Sequence, residues 1–108
     1  MAFKRAQKPT FSALVTVNIP NDKGSFDKST FTGIFRRIEA DEREHLASLP
    51  HADLVREVLV NWDMTDDETR EKVPFSRDEL DAALKILPTP LATAMAFWES
   101  INGARSKN

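Results

Sequence analysis

Apolar and polar residues alternate near the start of the chain, and this pattern predicts a β-hairpin. Residues 11–19 carry an apolar side chain at every second position, as in a half-buried strand, and Pro20 ends the run. Residues 20–25, PNDKGS, are typical of a turn. A second strand is predicted over residues 29–37, with Phe31, Gly33 and Phe35 on one side. Because an isolated hairpin is marginal in water, we expect it to pack against other elements.

Beyond Ile38 the spacing becomes helical. A first helix is predicted over residues 39–49, with Asp41 as a plausible cap and Pro50 as the interruption. A second is predicted over residues 54–62, where apolar residues share one helical face. These residues are Leu54, Val55, Val58, Leu59 and Trp62. Residues 63–75 read as an acidic connector between helices.

Two further helices are predicted in the last third of the chain. Ser76 and Glu79 have the spacing of a capping box, and Thr89-Pro90 is a typical helix start. The buried stripe expected of the third helix is Leu80, Ala83, Leu84 and Leu87. That of the fourth is Leu91, Ala94, Met95, Trp98 and Ile101, and Gly103 ends the helix.

These elements predict one α+β domain that is mostly helical, with an N-terminal β-hairpin followed by about four short helices. The domain spans residues 11–103. Residues 1–10 are expected to be a flexible basic arm, and residues 104–108 a frayed polar tail.

Composition narrows the class of protein. The chain has 108 residues, of which 41% are hydrophobic and 30% charged, and this balance excludes collagen-like and fully disordered chains. The apolar runs are far shorter than the roughly 20 residues of a membrane span. No apolar region follows Lys4 and Arg5, so no signal peptide is expected. The absence of cysteine excludes disulfides and thiolate chemistry and is compatible with a reducing cytoplasm.

The net charge of −2 is distributed unevenly. Residues 1–37 contain seven basic and two acidic residues, a balance of +5, and the rest of the chain carries −7. Such polarity can steer a partner or favour weak head-to-tail self-association, but a solvated surface without a partner is the simpler interpretation.

No catalytic or metal-binding pattern stands out. His45 and His51 lie outside any recognisable triad or metal motif. The acidic connector does not fit a calcium loop, since counting from Asp63 places Glu68 where glycine is needed and Pro74 where glutamate is needed. We therefore expect a non-enzymatic protein with no cofactor and no metal.

Aromatic and basic residues are the candidates for partner binding. Phe97 lies about 100° from Trp98 on the helical wheel, so it is either a core residue or an exposed anchor. Trp62 and Trp98 are expected in the core. Arg36-Arg37 beside Phe31 and Phe35 form a basic and aromatic pattern typical of nucleic-acid binding, but the pI near 5.7 argues against that partner. The candidate partner-binding residues are Phe97, Ile101, Phe75, Arg36 and Arg37.

The second half of the chain, residues 59–108, resembles the tail assembly chaperones of long-tailed bacteriophages and prophages. The resemblance lies in the order of its features: Trp62 closing a helix, an acidic loop, the entry Pro74-Phe75-Ser76, a Leu-rich helix, a proline break, and a final helix with aromatic residues. The basic ending Lys107-Asn108 is also similar.

This resemblance implies a non-catalytic protein of the host bacterial cytoplasm that acts during virion morphogenesis. It would bind the tape-measure protein, prevent aggregation of that protein's apolar segments, help to recruit tail-tube subunits, and leave before the virion is complete. Such chaperones are often made in two lengths by ribosomal frameshifting, and Lys107-Asn108 can be encoded by the slippery sequence AAA-AAC. Two alternatives stay open: a permanent accessory protein of the tail, and a nucleic-acid-binding regulator that uses the basic N-terminal half.

Overall fold

The structure is a computed structural model that describes residues 2–103. A three-stranded antiparallel sheet with strand order β1-β2-β3 carries the helices on one face. The elements are β1 (Thr10–Pro20), β2 (Phe26–Arg36), a 3-10 turn (Ala40–Glu42), α1 (Arg43–Ala47), α2 (His51–Val58), β3 (Leu59–Asp63), α3 (Arg77–Leu84) and α4 (Pro88–Ile101). The α+β class is confirmed, but the expectation of a mostly helical domain is not, since 37% of the described residues are helix and 28% are strand. The predicted polar tail lies outside the described residues.

The N-terminal hairpin is present as the alternating pattern predicts. Val15 pairs with Phe31 near the middle of an unbroken ladder, and β2 begins three residues earlier than expected. The Asn21 side chain organises the turn, because its Oδ1 accepts hydrogen bonds from the N–H groups of Lys23 (2.9 Å) and Ser25 (3.1 Å). Gly24 has a φ of +75°, a conformation that favours glycine.

The predicted helix over residues 54–62 is wrong in its second half. Helix α2 ends at Val58, and the chain continues directly into β3, which pairs with β2. Trp62 lies opposite Gly33, where a Cβ would come within 2.8 Å of the Phe35 ring. The absence of a side chain at Gly33 leaves room for the Phe35 ring of the same strand and for Leu59 of β3. The third strand thus supplies hydrogen-bond partners for the backbone groups along the otherwise unpaired edge of β2. These hydrogen bonds outweigh the helical spacing of residues 54–62.

The acidic connector is a hydrogen-bonded loop. The Val73 N–H donates to the Met64 carbonyl (2.9 Å), so the connector folds back on itself. The Asp66 carboxylate accepts hydrogen bonds from the N–H groups of Glu68 (2.8 Å) and Thr69 (3.0 Å). These N–H groups, that of Thr69 first, lower the pKa of Asp66 because they stabilise its charged form.

Two groups of aromatic rings fill the core. Phe11 and Phe35 both contact Phe97, with ring centroids 5.9 and 5.5 Å apart. Trp62 packs edge-on against Phe75, with centroids 4.9 Å apart, and donates its Nε1 hydrogen to the Val73 carbonyl at 2.8 Å. The indole therefore ties the acidic connector to the sheet.

The start of α3 shows the serine half of the predicted capping box, whereas α4 is rotated from its expected orientation. The Ser76 hydroxyl oxygen accepts a hydrogen bond from the Glu79 N–H (3.1 Å). Helix α4 begins at Pro88, so Thr89 is a buried helical residue and not the cap. Small residues allow the helix to approach the sheet closely, and its most buried residues are Thr89, Thr93, Ala94 and Phe97.

Candidate partner-binding groove

The outer side of α4 carries a row of exposed apolar side chains. Leu87 is 88% exposed, Leu91 49% and Met95 50%. The residues are four apart, so they lie on one side of the helix and form what we call the α4 stripe. All three were expected in the core. Leu87 falls in the turn after α3, and the burial of Phe97 rotates Leu91 and Met95 towards solvent.

The α4 stripe borders a groove beside β1. Helix α4 packs along β1, and the open space between them is about 610 Å³. Leu14, which is 65% exposed, lies at the strand edge of this space, but its side chain is on the open face of the sheet, because its neighbours Ala13 and Val15 face the helices. We call this space the β1–α4 groove; its lining comprises Ala13, Leu14, Thr16, Asn18, Pro88, Leu91, Ala92, Met95, Ala96, Glu99 and Ser100.

The free edge of β1 contributes backbone hydrogen-bonding groups to this groove. The Arg37 N–H donates to the Pro9 carbonyl (2.9 Å), and the Asn21 N–H donates to the Ser25 carbonyl (3.1 Å), so both ends of the hairpin are hydrogen-bonded pairs. Such pairs alternate along an antiparallel ladder. The odd-numbered residues of β1 therefore bond to β2, and the even-numbered residues direct their N–H and C=O groups outwards. Among residues 2–103, no strand pairs with this edge.

Both elements of the groove are almost free of charge. Strand β1 contains no charged residue, and α4 contains only Glu99, although 30% of the chain is charged. Native proteins usually protect edge strands with charged side chains, bulges or covering segments. The β1 edge has no charged side chain and no bulge, and Glu99 is the single charged residue among those that line the groove, so an uncharged partner desolvates few charges on binding.

The five candidate partner-binding residues lie outside the groove lining. Phe97 is fully buried and therefore occupies the core, while Phe75 and Ile101 are partly buried against it. Arg36 and Arg37 lie at the end of β2. The structure brings the two arginines together but does not join them to the aromatic candidates in one site.

Both arginines make contacts within the domain. Arg36 forms an ion pair with Glu42 (3.1 Å) and donates from Nε to the Glu57 carbonyl (3.0 Å). A hydrogen bond from the Glu39 N–H, and then Arg36, lower the pKa of Glu42. Arg37 donates to the Lys8 carbonyl (2.7 Å) and lies over the Phe11 ring. These contacts reduce the number of donors available to a nucleic-acid phosphate.

A second cleft lies between the hairpin and the acidic connector. It is also about 610 Å³, but its lining combines apolar residues such as Met64 and Ile86 with side chains of both charges, including Lys28 and Asp67. The β1–α4 groove differs from it in being apolar and nearly uncharged.

Sequence reasoning missed the groove because it assigned the largest aliphatic residues of α4 to the core. The available signal was the lack of charge over residues 10–20 and 88–98 in an otherwise charged chain. When two uncharged elements pack together and the rest of the fold covers only one side of them, their other side is an exposed apolar surface.

Comparisons with known protein families, with curated proteins and with solved structures find no match. No helix within residues 2–103 is both long enough and apolar enough to cross a membrane. The same residues contain no group of three or more potential metal ligands.

Proposed function

We propose that this protein is a non-catalytic tail assembly chaperone that binds a tape-measure protein through the β1–α4 groove. The observation that carries the proposal is the exposed, almost uncharged surface formed by the free edge of β1 and by Leu91 and Met95 of the α4 stripe. A surface of this kind is suited to apolar segments of a partner. The resemblance of residues 59–108 to phage tail assembly chaperones supports the same function.

Co-expression tests the binding step. The protein is produced in a bacterial host with the tape-measure protein of its own genome, and the soluble, co-purifying tape-measure protein is quantified. We expect the intact protein to keep the tape-measure protein soluble and Met95→Lys to lose this effect, because a lysine places a charge in the groove. Ile86→Lys is the matched control, since Ile86 is 46% exposed and lies in the other cleft. Equal solubility with and without the chaperone overturns the proposal, as does a genome without a tape-measure gene.

Recruitment of tail-tube subunits is the second step of the proposed function. We expect purified tail-tube protein to bind the chaperone–tape-measure complex more strongly than it binds the tape-measure protein alone. Mass spectrometry of purified particles then separates a chaperone from a permanent tail component. A chaperone is absent from finished virions, whereas an accessory tail protein is present in stoichiometric amount.

A further inference from the structure

The geometry points to a specific binding mode: an extended, uncharged segment of the client pairs with β1 as a fourth strand and packs its side chains against the α4 stripe. This inference rests on the proposed function and names the conformation of the client segment in the same groove. The recognised chemistry is a short stretch without charged residues, in which apolar side chains occupy alternate positions.

The outward backbone groups of β1 favour a strand as the occupant. Ser12, Leu14, Thr16 and Asn18 direct N–H and C=O groups to the free edge, as the alternation of hydrogen-bonded pairs requires. An extended client can pair with these groups directly. A helical client satisfies its own backbone groups and leaves those of β1 unpaired.

Side chains at alternate positions of the added strand would meet α4. A neighbouring strand lies about 4.8 Å from β1, and every second side chain points to the face that carries the helix. On that face Leu91, Met95, Ala92 and Ala96 supply apolar contacts, and the small alanines leave room for the client's side chains. Apolar residues two apart in the client therefore fit the groove, and charged residues do not.

A second copy of this chain fits the groove less well than a client segment. Antiparallel pairing of two β1 edges about a two-fold axis would place both α4 helices on the same face, above adjacent strands. Helix α4 packs against β1, so the two copies of the helix would meet above a pair of strands that are only about 5 Å apart. Packed helices need about 8–10 Å. A client strand brings no such helix.

Peptide selection followed by amide exchange tests this inference. Random-sequence short peptides are displayed and selected on the full chain, and the tightest binder is synthesised. We expect an uncharged sequence with apolar residues at alternate positions. In isotope-labelled protein, binding should slow hydrogen exchange at the amides of Leu14 and Thr16. The amides of Val15 and Val17 already bond to β2 and should exchange slowly both before and after binding.

Methylated peptides and one pair of variants complete the design. N-methylation of alternate peptide amides should abolish binding, whereas methylation of the intervening amides should preserve it. Met95→Lys should lose peptide binding, and Ile86→Lys should retain it. Ile86 is 46% exposed, close to the 50% of Met95, but it lies in the other cleft.

The outcomes separate this inference from the proposed function. Selected peptides with helical spacing, or binding without protection of Leu14 and Thr16, overturn strand pairing while the tape-measure protein is still held soluble. Failure to select any groove-binding peptide also overturns it. Protection of these amides that rises with concentration of the free protein identifies a second copy as the occupant and overturns it as well. Loss of the co-expression effect is the separate result that overturns the proposed function.

Discussion

Thr93 carries a hydroxyl group that lies in the core without a hydrogen-bond partner among the described residues. A buried hydroxyl without a partner costs about 1–3 kcal/mol of desolvation free energy. We expect Thr93→Val to raise the free energy of unfolding by about 1 kcal/mol, because valine has a similar shape and no polar atom. Urea denaturation measures this change. An equal or lower stability would mean that the hydroxyl finds a partner in solution.

The two tryptophans should contribute unequally to stability. Trp62 is buried and hydrogen-bonded, whereas Trp98 is only partly buried beside Phe97 and Arg43. We expect Trp62→Ala to cost about 3–5 kcal/mol of unfolding free energy and Trp98→Ala to cost less. Trp62→Phe retains a ring and removes the indole N–H, so its cost should fall between those of alanine and the native residue. Chemical denaturation of the three variants gives the order, and a larger loss at Trp98 would contradict this prediction.

Glu42 and Asp66 should make the fold sensitive to acid. Hydrogen bonds to backbone N–H groups lower the pKa of both carboxyls in the folded state. The two ionised carboxylates therefore stabilise the fold fully above their ordinary pKa values near 4. This stabilisation is lost as the pH falls through their lower pKa values in the folded state. We expect the unfolding free energy of the double variant Glu42→Gln/Asp66→Asn to fall less than that of the native chain between neutral pH and pH 3. Urea unfolding at both pH values measures the difference. Glu68→Gln removes one carboxylate from the same loop and is the control; an equal loss in the double variant would refute the assignment.

At the scale of the elements, Gly33 controls how closely β2 and β3 pack. A Cβ at this position would lie 2.8 Å from Phe35 Cε2 and 3.2 Å from Leu59 Cδ1. We expect Gly33→Ala to destabilise the fold by about 1–3 kcal/mol, because the Phe35 ring must shift within a packed core. Thermal denaturation tests this expectation. Gly24→Ala supplies a comparison, since nothing lies within 4 Å of that position and its cost should arise from the positive φ alone.

The sequence predicted an element correctly where its local pattern acts alone, and wrongly where a tertiary contact competes with the local pattern. The alternation over residues 11–19 matches only a strand, and Ser76 is a local cap, so both predictions hold. Residues 54–62 satisfy helical spacing, but the unpaired edge of β2 determines the conformation of Leu59–Asp63. That edge is created by tertiary structure and leaves no signature within the segment itself.

The candidate site was harder to predict than the fold. Helical spacing identifies which residues of α4 share a face, but does not decide which face the sheet covers. Phe97 reaches Phe11 and Phe35 only when the buried side is built from small residues such as Thr93 and Ala94. The groove follows from this rotation, so its lining could not be read from the apolar stripe alone.

At the scale of the whole molecule, the uneven charge distribution predicts weak self-association. The described domain is elongated, with extents of 50 × 30 × 28 Å, and the chain's basic and acidic portions carry +5 and −7. We expect association at low salt and a monomer at high salt, because exposed charges are screened over about 8–10 Å at physiological ionic strength. Sedimentation equilibrium across salt concentrations tests this expectation. A monomer under all conditions would show that the charges serve only solvation. We expect Met95→Lys, which alters the groove, to retain the association, because the expected attraction is between the oppositely charged portions of the chain.

The packing of α4 against β1 also sets when binding ability arises during synthesis. The hairpin can pair as soon as residues 10–36 have emerged, but its core face has no cover until residues 88–101 follow. The ring cluster of Phe11, Phe35 and Phe97 closes only at that step. Since the groove is formed by β1 and α4 together, a nascent chain that still lacks residues 88–101 has no complete groove. Such a chain offers the proposed client only the free edge of β1, and the apolar wall of the groove is added when α4 folds.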